Sequence, residues 1–480
     1  MLFYTDEFFI FSLILVGVLA VVTRHAPRKL VLLTASYAFY MWWNPAFILL
    51  ILFSTAVDFL LGRHIEQTAS RRRRTAALVA SLVSNLGLLA WFKYADFFGS
   101  GMFAGLRLAG CDVHWTALNV TLPVGISFYT FQTLSYTIDV YRGRLSACRN
   151  PLDFALFVAF FPQLIAGPIV RAGDFLPQLQ HPAPLCFDRR AAFLFLRGLV
   201  KKVLIANNVA VLVDRVMSDV YAWPSWMIWL GAIGFSVQIY CDFSGYSDMA
   251  IALGRMLGYR LPRNFDRPYL ARSPGEFWQR WHISLSTWLR DYLYIPLGGN
   301  RHGRWLTLRN LMVTMLLGGL WHGASWNFLL WGFLHGLALG VHRVWTWVRP
   351  EKSEQSTRAW RLLTASLSWA ATQYWVLLTW LCFRLQDPQA MLHAMKKFVL
   401  FDFDYAIVLN AHQLRVMGFA LIVSILVAFF LFHFLPRRRS WDETLARMPL
   451  WLSCPGCVLM GMSLYFLWPQ RDLPFVYFQF

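Results

Sequence analysis

The chain has 480 residues, of which 58% are hydrophobic and 14% charged, with 41 Phe and 23 Trp. Soluble domains carry about 25% charged residues and cannot cover this much apolar surface, and disorder requires low hydrophobicity, so the chain belongs mostly in lipid. The net charge of +19 leaves two explanations: binding to a polyanion such as nucleic acid, or the cytoplasmic loops of a multispan membrane protein.

The chain begins Met1-Leu-Phe-Tyr-Thr-Asp6-Glu7. It has no basic leader and no small-residue cleavage site, so the first apolar run reads as a retained span. Apolar runs predict spans near 8–23, 30–43, 45–62, 76–92, 151–168, 224–241, 305–320, 325–345, 363–384, 414–435 and 450–468. Several fall short of the roughly 20 residues a crossing helix needs. The stretches 120–139, 191–213 and 245–258 carry polar residues and read as re-entrant or buried. Gly and Pro break the runs, as in Leu122-Pro-Val-Gly125 and Phe161-Pro-Gln-Leu-Ile-Ala-Gly-Pro168. In lipid such backbone survives only inside protein or against a water-filled cavity. Apolar runs recur from end to end, so residues 1–480 read as one all-α integral-membrane domain, with a motif-rich core over about 123–336.

Most basic residues cluster between the runs: Arg24/Arg28/Lys29, Arg63 with Arg71 to Arg74, Arg142/Arg144/Arg149, Arg189 to Lys202, Arg255 to Arg272, Arg301/Arg304/Arg309, Arg343 to Arg361, and Arg437 to Arg447. Placing alternate loops in the cytoplasm accommodates the first three clusters and the last two. It puts the N-terminus outside, together with the weakly basic 93–119 and 385–413. A charge distributed this way removes nucleic acid from the candidates. The seven cysteines are scattered and form no disulfide framework. Cys454-Pro-Gly-Cys457 stands alone, either a redox or half metal site or two small residues opening a membrane helix. No metal is expected.

Three segments carry polar chemistry inside apolar surroundings, where ionisable groups usually serve function. In the first, Gln238, Asp242, Ser244, Ser247 and Asp248 interrupt an apolar run. Asp242 is either a proton acceptor or orienter of a catalytic His, or a buried polar residue holding a helix break together. The second runs from Asn264 to Pro296. Ser273 is placed as an N-cap, Pro274 opens a helix and Glu276 suits its first turn. Trp278, Trp281, Leu285, Trp288 and Tyr292 share one helical face, Arg280, Ser284, Thr287 and Asp291 another. Glu276 and Arg280 pair at i,i+4. This predicts an amphipathic helix at a membrane surface or cavity wall, with His282 at the edge of its aromatic face.

The third segment is Leu317-Gly-Gly-Leu-Trp-His-Gly-Ala-Ser-Trp-Asn-Phe328. His322 sits between two apolar runs, flanked by Gly318, Gly319, Gly323 and Ala324, which let a ligand or another backbone approach. Imidazole is the side chain best matched to accepting a proton near neutral pH. Its alternative role is a helix–helix hydrogen bond. Ser325 and Asn327 are near in sequence as partners. No phosphate loop, HExxH zinc motif or GxSxG nucleophile elbow occurs.

Together these segments resemble the membrane-bound O-acyltransferase family, in its alginate O-acetyltransferase-like branch, almost end to end. The matching stretches are Ala35-Ser-Tyr-Ala-Phe-Tyr-Met-Trp-Trp43, Pro123-Val-Gly-Ile-Ser-Phe-Tyr-Thr-Phe-Gln132, Phe161 to Pro168, Tyr240-Cys-Asp-Phe-Ser-Gly-Tyr-Ser-Asp248, Phe277-Trp-Gln-Arg-Trp-His282, Leu320-Trp-His-Gly-Ala324 and Phe475-Val-Tyr-Phe-Gln-Phe480. The resemblance implies a ring of about 11 or more membrane helices, with short or re-entrant ones, around a central tunnel. It implies that His322 is catalytic and that His282 is the second family histidine. Asp242, Asp248, Asn327 and Arg280 are supporting candidates.

From position and charge, Arg263, Arg267 and Arg272 are candidates for the phosphates of coenzyme A. The expected reaction moves an acetyl group from cytosolic acetyl-CoA, a substrate rather than a bound cofactor, toward hydroxyls of an exported polysaccharide such as alginate. Transfer is direct or through periplasmic SGNH-type acetyltransferase partners. The base is His322, with a covalent acyl-histidine as a second route. Acylation of cellulose, peptidoglycan or a teichoic-acid-like polymer is the alternative, and a polytopic transporter or exporter the competing class. The expected location is a bacterial inner membrane, with the N-terminus periplasmic.

Overall fold

The computed structural model describes residues 1–165, 167–348, 357–403, 418–435, 441–468 and 476, and every regular element among them is helical. In chain order the helices are α1 (Asp6–Val21), α2 (His25–Met41), α3 (Ile48–Gln67), α4 (Arg71–Leu108), α5 (Ile126–Tyr141), α6 (Pro151–Ala159), α7 (Phe161–Leu164), α8 (Ala172–Phe175), α9 (Arg189–Leu199), α10 (Asn207–Met217), α11 (Ser225–Met256), α12 (Pro274–Arg280), α13 (Ile283–Leu289), α14 (Arg304–His322), α15 (Trp326–Val348), α16 (Arg358–Arg384) and α17 (Pro388–Val399). Helices Phe419–Phe434, Trp441–Arg447 and Leu450–Phe466 follow. The Phe475 to Phe480 motif lies outside the described residues except for Val476.

Among the described residues, Pro45–Gln67, Arg71–Leu108 and Ser225–Met256 are long and apolar enough to cross a membrane. The other predicted runs form helices that are shorter, more polar or broken. The run 151–168 breaks at Phe160 and restarts at Phe161, with Pro162, which cannot donate to a continuing ladder, in the new first turn. The fourth predicted span, 76–92, is unbroken and forms part of a 38-residue helix. Residues 245–256 continue the α11 helix and are mostly buried, so of the two readings of 245–258 the buried one holds and the re-entrant one does not.

The chain divides into two compact units. The first comprises Met1–Phe195 and Tyr246–Pro262. Here α3, α4 and α5 pack on one another around a buried carboxylate. Asp58 of α3 accepts hydrogen bonds from Ser81 Oγ, from Asn85 Nδ2 at 2.9 Å and from Thr137 Oγ1 at 3.2 Å. Asn85 Oδ1 accepts from Ser54 Oγ at 2.6 Å. These donors replace the hydration that a buried carboxylate loses. Lys29 of α2 pairs with Asp153 of α6, both buried. Gly125 opens α5 at φ 77°, and a Cβ there would lie 2.6 Å from Leu164 O, so the Pro123–Gln132 and Phe161–Pro168 motifs meet.

The second unit comprises Leu196–Gly245 and Arg263–Phe480. Its main feature is the α14–α15 hairpin. A Cβ on Gly319 would sit 2.2 Å from Phe328 O, and one on Gly332 would sit 2.4 Å from Met315 O. Only glycine permits this backbone approach, the usual device of helix pairs in lipid. Asn327 Nδ2 donates to Leu385 O and Gln386 O at 2.6 and 2.9 Å, tying the start of α15 to the end of α16. A π-helical stretch, Val200–Ala206, carries Lys202, whose Nζ lies 2.6 Å from Asp242. Both side chains are fully buried.

Candidate active site

His322 is the last residue of α14, and Gly323 leaves the helix with extended φ of −164°. The residue is 5% exposed. It meets Trp331 of α15 edge-on at 4.9 Å between centroids and Phe383 of α16 at 5.2 Å. Trp321 stands 5.0 Å from His322 and 6.1 Å from His282. One indole therefore connects the two predicted histidines.

His282 does not lie within one continuous amphipathic helix, as the sequence suggested. Helix α12 starts as predicted, with Ser273 Oγ accepting from Glu276 N at 3.1 Å and Pro274 in the first turn. It ends at Arg280, and His282 takes a left-handed conformation, φ 42° and ψ 56°, before α13. Such strain in a non-glycine residue persists only where the surroundings impose it. Here Asn264, itself 1% exposed, imposes it. Asn264 O accepts from Ile283 N at 2.9 Å, and Asn264 Oδ1 accepts from Ser284 N at 3.2 Å and Ser284 Oγ at 2.9 Å. His282 Nδ1 lies 3.2 Å from the same oxygen. An oxygen already receiving two donors is an acceptor, so the neutral ring carries its proton on Nδ1 and presents Nε2 as an acceptor. His282 is 0% exposed, and burial lowers its pKa to about 3. It is neutral at physiological pH.

A third histidine belongs to the cluster. His335 of α15 is 2% exposed and lies 4.6 Å from Trp331 and 5.1 Å from Trp278. The rings thus run His282–Trp321–His322–Trp331–His335. Sequence reasoning singled out His322 as a histidine inside an apolar run. His335, in Trp331-Gly-Phe-Leu-His335-Gly336, meets that same criterion and was passed over. Asn264 was missed because its role depends on a fold-back to residues 282–284.

The other predicted residues are distributed as follows. Asp242 pairs with Lys202, not with either predicted histidine, and accepts from Val476 N at 2.7 Å. Asp248 is buried on the part of α11 that belongs to the first unit. Asn327 donates both amide hydrogens to the carbonyls of Leu385 and Gln386, just past α16. Arg280 pairs with Glu276 at 2.8 Å, as the i,i+4 spacing predicted, and its Nη1 donates to Asp266 O at 3.2 Å. Arg263 binds Asp266 at 2.7 Å, Arg267 Nη1 donates to Leu435 O at 3.3 Å, and Arg272 is exposed. These three arginines share one loop, 263–272, whose single Asp266 leaves it basic. Among the described residues no group of His, Cys, Asp and Glu is arranged to hold a metal ion.

Residues 145–385, which contain the whole ring cluster, match the membrane-bound O-acyltransferase family. The chain belongs to that family: it is an acyltransferase and a membrane protein. It is 44% identical over 365 residues to a probable alginate O-acetylase of Azotobacter vinelandii, covering 75% of this chain and 70% of that protein. It is 38% identical over 474 residues to a probable alginate O-acetylase of Pseudomonas putida, covering 94% of each. It is also 36% identical over 433 residues to a peptidoglycan O-acetyltransferase of Helicobacter pylori, covering 83% of this chain and 80% of that protein.

Proposed function

We propose that the chain moves an acetyl group from cytosolic acetyl-CoA toward hydroxyls of an exported polysaccharide such as alginate, directly or through a periplasmic SGNH-type acetyltransferase. The observation that carries this reading is His322, buried among Trp321, Trp331 and Phe383 in a chain whose relatives include alginate O-acetylases. His322 takes the proton of the attacking hydroxyl, which a base must remove for acyl transfer from a thioester. His282, held neutral with Nε2 as acceptor, orients the donor or relays the proton to the leaving thiolate. The loop arginines Arg263, Arg267 and Arg272 meet the coenzyme phosphates. Arg280, Asn327 and Asp242 support the site by fixing backbone around it, and Asp248 remains a supporting candidate by its burial.

In this reading residues 1–480 form one catalytic body in a bacterial inner membrane. Its helices ring a tunnel and the N-terminus is periplasmic. A second reading, acetylation of peptidoglycan, is favoured by the Helicobacter pylori relative. The test uses purified protein with acetyl-CoA and either polymer. Wild type releases free coenzyme A and labels the acceptor, while His322→Ala loses on the order of 10²–10⁴-fold in rate. An unimpaired His322→Ala with intact fold overturns the assignment.

A further inference from the structure

Trp278 of α12 and Trp331 and His335 of α15 touch one another as a triangle, with centroid separations of 5.7, 4.6 and 5.1 Å. Each ring carries a buried nitrogen with no hydrogen-bond partner among the described residues: Nε1 of both indoles and Nε2 of the imidazole. Buried polar groups are almost always paired, and each exception calls for an explanation. Ring packing does not require three mutually touching rings each to bury an unpaired nitrogen. A guest oxygen that accepts hydrogen bonds would pair them. Indole N–H is a donor only, and neutral imidazole donates from Nε2 in one of its tautomers. Trp331 is also the ring edge-on to His322 at 4.9 Å, so a guest beside it is next to the proposed base.

We infer that the Trp278–Trp331–His335 triangle is an oxyanion site that binds the carbonyl oxygen of the acetyl thioester. The inference rests on the acyl-transfer reading above and adds residues to it. The acceptor hydroxyl oxygen bonds to the acetyl carbon, and the carbonyl π pair moves onto oxygen, where the N–H groups receive the negative charge. The hydroxyl proton goes to His322. Collapse returns the electron pair, breaks the carbon–sulfur bond, and the proton passes from His322, directly or relayed by His282, to the departing thiolate. Donors aimed at a charge that develops only in the transition state raise kcat more than they tighten substrate binding.

The test is Trp331→Phe, which keeps a ring in the packing and deletes the N–H. Full-length protein is assayed with acetyl-CoA and polymer acceptor, and its melting temperature is measured alongside. The expected result is a kcat about 10²-fold lower, with KM for acetyl-CoA and the melting temperature close to wild type. A companion pair, His335→Ala and His335→Gln, should separate, because the Gln amide donates and Ala does not. Unchanged kcat in Trp331→Phe overturns the inference. So does a fall in melting temperature with kcat per folded molecule preserved, the signature of a structural water. His322→Ala run in parallel keeps the failures apart. If it is inactive while Trp331→Phe is fully active, only the oxyanion site is lost. If it is fully active, the acyl-transfer assignment falls first.

Discussion

The Asp58 knot on α3–α5 and the histidine–tryptophan cluster on α12–α16 bury polarity in opposite ways. In the knot, Ser81, Asn85 and Thr137 on neighbouring helices all donate to the one carboxylate. In the cluster, imidazoles and indoles pack edge to face, and the nitrogens of three touching rings have no partner among the described residues. An unpaired buried group costs about 1–3 kcal/mol. That expense brings no stability to the folded chain, and a bound oxygen offsets it. Burial of a charged or polar side chain is thus a poor marker of chemistry by itself. Burial combined with unused hydrogen-bonding capacity is a better one.

Breaking matched pairs should act on the amount of folded protein, and changing the cluster should act on turnover. The largest effect on stability is expected from Lys202→Met, which leaves Asp242 buried without its cation, at a cost of about 3–5 kcal/mol. The Lys202→Met/Asp242→Leu double variant should recover much of that loss, read as folded yield and melting temperature. Equal melting of Lys202→Met and wild type would show that the pair holds nothing together. A smaller loss, about 1–3 kcal/mol, is expected for Asp58→Leu, which strands the donors of Ser81, Asn85 and Thr137. Its turnover per folded molecule should match wild type. A variant that melts normally but turns over slowly would erase the contrast between the two regions.

Asn264→Leu tests the cluster from the other side. It removes the acceptor for His282 Nδ1 and for Ser284. A net hydrogen-bond contribution of about 0.5–1.5 kcal/mol corresponds to roughly 2- to 12-fold in rate if it is expressed at the transition state. The readout is kcat against KM, with kcat expected to carry most of the change. A change confined to KM would assign Asn264 to donor binding and not to the orientation of His282.

How legible these features were depended on sequence separation. The Ser273 cap, the Pro274 start and the Glu276–Arg280 pair are local, within a few residues, and were predicted as found. His322 was legible because a histidine between glycines in an apolar run is unusual at any distance. The break at His282 was not, because the helical face through Trp278, Trp281 and Leu285 is equally periodic whether or not Asn264 folds back to unwind it. Asp242 was visible as a buried charge, but its partner Lys202 lies 40 positions earlier in the numbering, and no periodicity connects them. Span lengths failed for a related reason. Hydropathy marks where a run is apolar, whereas α4 continues to Leu108 through Lys93 and Asp96 because its backbone hydrogen bonds do not depend on polarity.

The smallest expected effect concerns pH and the burial of His282. In the unfolded chain its imidazole titrates near the ordinary 6.5, while in the folded chain burial lowers the value to about 3. Between those values the unfolded state binds a proton that the folded state refuses, so stability rises with pH across this interval. The contribution is fully present above about pH 6.5 and drains away as pH falls toward 3. Most carboxylates titrate below about 4.5, so the window from pH 6.5 to 5 isolates histidine. His282→Asn, which cannot titrate, should start from a lower melting temperature because the Asn264 contact is altered. Its melting temperature should then fall less steeply than wild type across that window. Parallel slopes for the two proteins would mean that the folded state protonates His282 as readily as the unfolded one. The ring would then be open to water, and its proposed role as a neutral acceptor would fail.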